Sequence, residues 1–182
     1  MNWIVWIIIG CEIGFWVFVI LGLFTRYVFN KKNLGLFFLA MTPIIDLVLL
    51  TATALDLYNG ATATIAHALA AIYIGISVGF GKIMINWADE RFQYYVTKTG
   101  AKPVKLYGLA YAKNYFKGWT RHLISYVIGA SLIGLVYLII KDSDRTAAFM
   151  QVLSGWTLVL AIDFIISISY FIFPRKQKSE LF

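Results

Sequence analysis

Glu12, Asp46, His67 and Asp163 stand in stretches of the chain that are otherwise almost wholly apolar, and Asp56 lies near the edge of one of them. A charged side chain at the centre of a bilayer costs about 2.5–3.5 kcal/mol on insertion scales, so such residues turn toward a bundle interior and seek a partner. No Lys or Arg shares their depth. Lys82 sits low enough for its ammonium to reach the membrane surface. Simple ion pairing is therefore closed to the three deep carboxyls. They are protonated, hydrogen-bonded to hydroxyls, paired with His67 or holding a cation. A proton or cation path uses these groups, and so does a silent polar contact between helices.

Helical spacing sorts these residues onto faces. Thr42, Asp46 and Thr53 fall on one face of a helix, with Pro43 one turn before Asp46. Pro43 frees one backbone carbonyl, and Thr42 or Thr51 could satisfy it. His67, Ala71, Gly75 and Gly79 recur every four residues, a stripe of small side chains that admits a second helix closely and points His67 into the bundle. Gly10 and Gly14 form a second such stripe. Trp156, Leu160, Asp163 and Ser167 share a face further on.

The elements that position them follow from length and hydropathy. Hydrophobic residues make up 60% of the 182 and charged residues 14%, against about 45–50% and 25% in a soluble domain. That balance excludes disordered, collagenous and ordinary cytosolic classes. A spanning helix needs about 20 apolar residues. Five stretches qualify, at about Trp3–Phe24, Leu34–Leu57, Ala61–Ile85, Leu123–Ile140 and Thr146–Phe173. Two-residue alternation is absent, which argues against a membrane barrel. The expected fold is an all-α, polytopic bundle of five transmembrane helices in a single domain.

Basic residues set the expected orientation. Arg26, Lys31 and Lys32 follow the first span, seven more fall between the third and fourth, and Arg175, Lys176 and Lys178 end the chain. The other two connections hold Lys141 and Arg145, interleaved with Asp142 and Asp144. Alternation puts thirteen basic residues on one side and two on the other. The positive-inside rule then places the N-terminus outside and the C-terminus in the cytoplasm. The start of the chain lacks a basic leader region and reads as an uncleaved span, and no lipidation signal is present. Trp3 and Trp6 fall at the outer interface, Trp87 and Trp119 at the inner one.

Asn86–Arg121 is basic and aromatic. Tyr107, Tyr111 and Tyr115 recur every four residues with Lys113 and Lys117 off that stripe, the pattern of an amphipathic helix lying on the inner leaflet against anionic lipid. Thr99 to Pro103 reads as a loop. Net charge is +7, and the bilayer accounts for it without nucleic acid. Asp142 and Asp144 are expected to cap the last span and pair with Lys141 and Arg145.

Cofactor chemistry is narrowed by what the chain holds. Cys11 is its one cysteine, so neither a disulfide nor a multi-cysteine metal centre can form. His67 and His122 are the two histidines, about 15–20 Å apart in depth at 1.5 Å per residue, too far for one haem. The metalloprotease, serine-hydrolase and phosphate-loop motifs are absent. No cofactor is expected. A single divalent metal on His67 with Asp46, Asp163 or Glu12 stays geometrically open.

The runs from Ile44 through Asp46 and Asp56 to Leu57, from Gly60 through His67 to Gly75, and Trp87-Ala-Asp89-Glu90-Arg91-Phe92 resemble the YmcC-like family of small bacterial multi-pass membrane proteins. Arg26-Tyr27 also fits. The likeness is best over the first half of the chain. It implies a bacterial plasma membrane, carries no activity with it, and adds Asp89, Glu90 and Arg91 to the positions of interest. On their own spacing those three read as a salt-bridged helix end.

The leading functional expectation is a bundle that handles a proton or cation at Glu12, Asp46, His67, Asp163 and Asp56. The alternative is a non-catalytic subunit or assembly factor whose polar residues bind partner helices or a second copy. An intramembrane enzyme ranks last for want of a motif.

Overall fold

The computed structural model describes residues 3–101 and 105–176. Its regular structure is five helices: α1 Trp3–Tyr27, α2 Lys32–Tyr58, α3 Ile65–Tyr95, α4 Gly108–Ile140 and α5 Ala147–Ile172. Each is long and apolar enough to cross a membrane. The chain is an all-α multi-pass membrane protein. Lys102, Pro103 and Lys178 lie outside the described residues, as does the Trp3 side chain.

The helices run up and down, with α1 packed on α2 and α3 touching α2, α4 and α5. The α2–α3 and α4–α5 connections, called here the short turns, lie together at one end of the bundle, the Ala63 N–H of one donating to the Arg145 carbonyl of the other. The α1–α2 and α3–α4 connections lie at the other, called here the basic end. Large apolar side chains such as Ile165, Leu138 and Trp16 face outward, as lipid permits. The core is correspondingly small. It gathers Leu49, Leu50, Leu57, Ile133, Val136 and Phe149 around alanines of α3 near the short turns.

Helix contacts follow the small residues. A Cβ added at Gly75 would run into the Ser125 carbonyl, and one at Gly79 into the Ser125 side chain. Gly129 in turn lies beneath the Trp156 ring. The stripe expected on α3 is thus the seat of α4. The Gly10–Gly14 stripe is not a helix seat here: nothing lies within 4 Å of a Cβ at Gly10, and Gly14 meets a single Ile45 methyl at 3.8 Å. The close approach of α1 and α2 is made at Gly22 and Gly35 instead.

Pro43 lies inside α2. The carbonyl it leaves free, that of Leu39, accepts the Thr42 hydroxyl at 2.9 Å, the satisfaction expected from the sequence. Thr42, Asp46 and Thr53 are all buried.

The inner-leaflet helix expected over Asn86–Arg121 is not a separate element. Its first part continues α3 to Tyr95 and its last part begins α4 at Gly108. Part of the tyrosine stripe meets protein: Tyr111 and Tyr115 pack on Tyr170 of α5, each with ring centroids 4.9 Å apart. Arg175 lies over the Tyr111 ring. Trp119 is likewise drawn inward, its indole N–H donating to the Leu160 carbonyl at 3.2 Å. Threonine, glycine and alanine at 99–101 form the expected loop, folded back on the Gln93 carbonyl.

At the short-turn end the expected Lys141/Arg145 ion pairs do not form. Asp142 Oδ1 accepts the backbone N–H groups of Asp144 and Arg145, each at 3.1 Å. The Arg145 guanidinium crosses to the other turn and donates to the carbonyls of Ala61, at 2.9 Å, and Leu57. A carbonyl at a helix end has no intrahelical donor, so the cation does more there than beside a solvated carboxylate.

Candidate functional site

The five sequence-derived site residues do not form one hydrogen-bonded cluster. Glu12 is exposed on the membrane-embedded part of α1. Asp46 is 1% exposed, and its Oδ2 is buried without a hydrogen-bond partner. Asp56 and His67 are buried near the short turns. His67 Nδ1 accepts the backbone N–H of Thr64 at 3.2 Å, so the ring caps the start of α3 in the position usually held by Glu or Gln. Glu12 and Asp56 lie within electrostatic reach of that ring. Among the described residues no carboxylate is hydrogen-bonded to it, and no three of His, Cys, Asp and Glu converge closely enough to hold a metal ion.

Asp163 has different company. It sits where α4 and α5 face each other, in the half of the bundle toward the basic end. Tyr115 Oη donates to its Oδ1 at 3.2 Å, and His122 Nδ1 lies 3.1 Å from its Oδ2. His122 Nε2 lies 3.0 Å from Trp156 Nε1. An indole N–H can only donate, so Nε2 must accept, the ring proton is on Nδ1, and Nδ1–H donates to the carboxylate. The network thus assigns a neutral imidazole in one tautomer. Tyr126 closes the cluster, packed edge-on to Trp156 at 5.3 Å with its hydroxyl 2.7 Å from that of Thr157. Asp163 and His122 side chains are 25% and 19% exposed, so neither is sealed inside the bundle.

The second charged arrangement joins α1 to α3. Arg26 Nε donates to Asp89 Oδ1 at 2.7 Å while a terminal nitrogen meets Oδ2. The other terminal nitrogen donates to the Lys32 carbonyl at 3.0 Å. This is the planar two-point fit of guanidinium to carboxylate. The local salt-bridge reading of Asp89-Glu90-Arg91 gives way to this long-range pair. Arg91 instead lies over the Trp87 ring at 5.5 Å.

The chain is 57% identical over 181 residues to the uncharacterized membrane protein YmcC of Bacillus subtilis (strain 168), a match covering 99% of this chain and 97% of that protein. The chain belongs to the YmcC family. No family model and no solved structure matches it.

In this YmcC-family chain the sequence singles out Asp163 and Asp89, whereas their partners His122, Tyr115 and Arg26, and Trp156 beyond His122, emerge only in the structure. A signal for His122 existed. Helices α4 and α5 form an antiparallel hairpin about the 141–146 turn, and His122 lies about as far before that turn as Asp163 lies after it. Tyr115 with Tyr170 and Gly129 with Trp156 obey the same register.

Proposed function

We propose that this YmcC-family protein handles protons at the α4–α5 cluster of Asp163, His122, Tyr115 and Trp156. The observation that carries the reading is the saturated hydrogen-bond chain across that interface, in which every nitrogen of His122 and both oxygens of Asp163 are engaged. A proton gained there cannot be accommodated silently. On His122 it makes Nε2 a donor facing the indole donor of Trp156; on Asp163 it turns a carboxylate oxygen into a donor, which Tyr115 Oη meets by reversing its own hydrogen bond. The first event breaks a contact between α4 and α5 and the second reverses one, which couples proton occupancy to helix packing. The occupied carboxylate oxygens favour a proton over a metal cation. Asp46, at mid-depth with one oxygen unpartnered, is the next titratable group toward the short turns.

The test is proton flux in proteoliposomes for wild type, Asp163→Asn, His122→Gln and His67→Ala. Asp163→Asn and His122→Gln lower flux about a hundredfold, the usual scale for losing a positioned proton carrier. His67→Ala, which removes a helix cap, leaves flux near wild type in protein that still folds. Equal flux in all four removes the assignment.

The reading places the protein in a bacterial plasma membrane with the basic end cytoplasmic and the N-terminus outside. A reporter active only in the periplasm stays silent when fused at the C-terminus; activity there would reverse the orientation. A second reading, as a subunit or assembly factor, is favoured by Glu12. A carboxyl exposed along a spanning helix suits a partner helix with a hydrogen-bond donor. Absence of flux from wild type under every gradient would leave that reading standing.

A further inference from the structure

A lateral groove opens between α1, α2 and α3 on the half of the bundle toward the basic end. It has a volume of about 680 Å³ and is lined by Phe15, Val19, Leu36, Leu39, Ile76 and Met84. That lies within the usual ligand-site range of about 300–1,000 Å³. Leu36 is 45% exposed and Met84 57%, so the groove faces the surrounding lipid. Water would find almost nothing to bond to along these walls, whereas an acyl chain matches them.

The groove meets a second cavity of different character at the last turn of α1. This one is about 270 Å³ and polar, bounded by Arg26, Asn30, Lys32, Gln93, Thr97 and Thr99, with Asp89 beneath Arg26. Tyr27 lines both cavities. Its ring packs on Phe92 at 4.5 Å, and its hydroxyl is buried without a hydrogen-bond partner. That hydroxyl lies close to the Arg26–Asp89 pair and, with no hydrogen bond formed, is free to turn to an oxygen acceptor from outside the chain. Asp89 is already neutralised by Arg26, which leaves Lys32 on the polar cavity and Lys82 on the groove as uncompensated positive charge.

We infer that the α1–α2–α3 groove and its polar vestibule form one binding site for an anionic phospholipid, with an acyl chain along the groove and the phosphate near Lys32 and Lys82. The apolar walls, the positive vestibule and the unpartnered hydroxyl between them match the three parts of such a molecule in order: chain, phosphate and ester oxygens. A zwitterionic lipid would fill the groove but set its own cation against the two ammonium groups and so gain less from them. The site shares no residue with the α4–α5 cluster.

The test uses the full chain reconstituted in bilayers of phosphatidylglycerol and phosphatidylcholine, with lipid retained after detergent extraction counted by native mass spectrometry. Wild type retains phosphatidylglycerol in preference to phosphatidylcholine. Lys32→Gln and Lys82→Gln each lower that retention about fivefold, the worth of one basic residue at an anionic membrane surface. Two substitutions block the groove without touching the core. Ala40→Trp fills its exposed wall, and Gly81→Leu adds a side chain where nothing lies within 4 Å of the Cβ. Both abolish retention while the helical circular dichroism stays native. Equal retention of the two lipids, or phosphatidylglycerol retention unchanged by both lysine and both groove substitutions, overturns the assignment.

Discussion

Gly75→Leu destabilises the bundle by about 3 kcal/mol or more, the upper range for overpacking a close contact. The obstacle is the Ser125 backbone carbonyl rather than the end of a flexible side chain, so no rotamer change on α4 can make room. The helix must move as a body. Moving it opens the contact of Gly79 with Ser125 and that of Gly129 with Trp156, and so loosens the α4–α5 cluster as well. Within a membrane these packing contacts are a main source of helix association, because lipid tails are as apolar as the side chains they would replace. The measurement is thermal unfolding in detergent. Gly134→Leu is the control, since nothing lies within 4 Å of a Cβ at Gly134, and it melts close to wild type. Equal melting of Gly75→Leu and wild type would mean that α3 and α4 do not meet along this stripe.

Asp89→Leu alone costs about 3 kcal/mol, because breaking a buried pair strands the remaining charge. Arg26 has a side chain 9% exposed and Asp89 one 18% exposed, and the pair borders the polar vestibule, so water offsets only part of the lost carboxylate. Arg26→Met alone is expected to cost a similar amount, since it also removes the donor to the Lys32 carbonyl. The double variant, Arg26→Met with Asp89→Leu, recovers most of the loss: two apolar side chains of similar volume leave no unpaired charge. Arg26→Lys does not substitute well, as an ammonium cannot offer two parallel N–H groups to one carboxylate. A double variant whose loss equals the sum of the two singles would refute this account of the pair.

The two arrangements differ in how visible they were beforehand. The fold was legible because spans, turns and the small-residue stripe are properties of contiguous sequence. Hydropathy over some twenty residues identifies a span, and a four-residue repeat of small side chains marks a helix seat wherever the partner comes from. The Pro43–Thr42 adjustment was legible for the same reason, since the freed carbonyl and its new donor belong to one turn. The tyrosine stripe of α4 was visible as a pattern and ambiguous as to its partner. Periodicity shows that Tyr111 and Tyr115 share a face, and the same face suits an anionic leaflet or a neighbouring helix equally well.

The candidate sites stood at the edge of what the chain reveals. Unusual residues at membrane depth announced themselves, because the energetic cost of each is local. Their partners did not. Asp163 and His122 are 41 residues apart, and Arg26 and Asp89 are 63 apart. Contacts between helices impose no period on either sequence, so Glu12, Asp46, His67 and Asp163 read as one group, whereas the bundle gives Asp163 to His122 and leaves one Asp46 oxygen without a partner.

The sequence by itself determined that this chain crosses a membrane five times as helices, because desolvating a backbone is a cost that each stretch must meet alone. The tertiary structure alone decided that Asp163 answers to His122, that Arg26 reaches Asp89, and that α1, α2 and α3 leave a groove open to lipid. Those outcomes depend on the rotation and depth at which whole helices settle against one another, set by many small contacts of glycine and serine acting together.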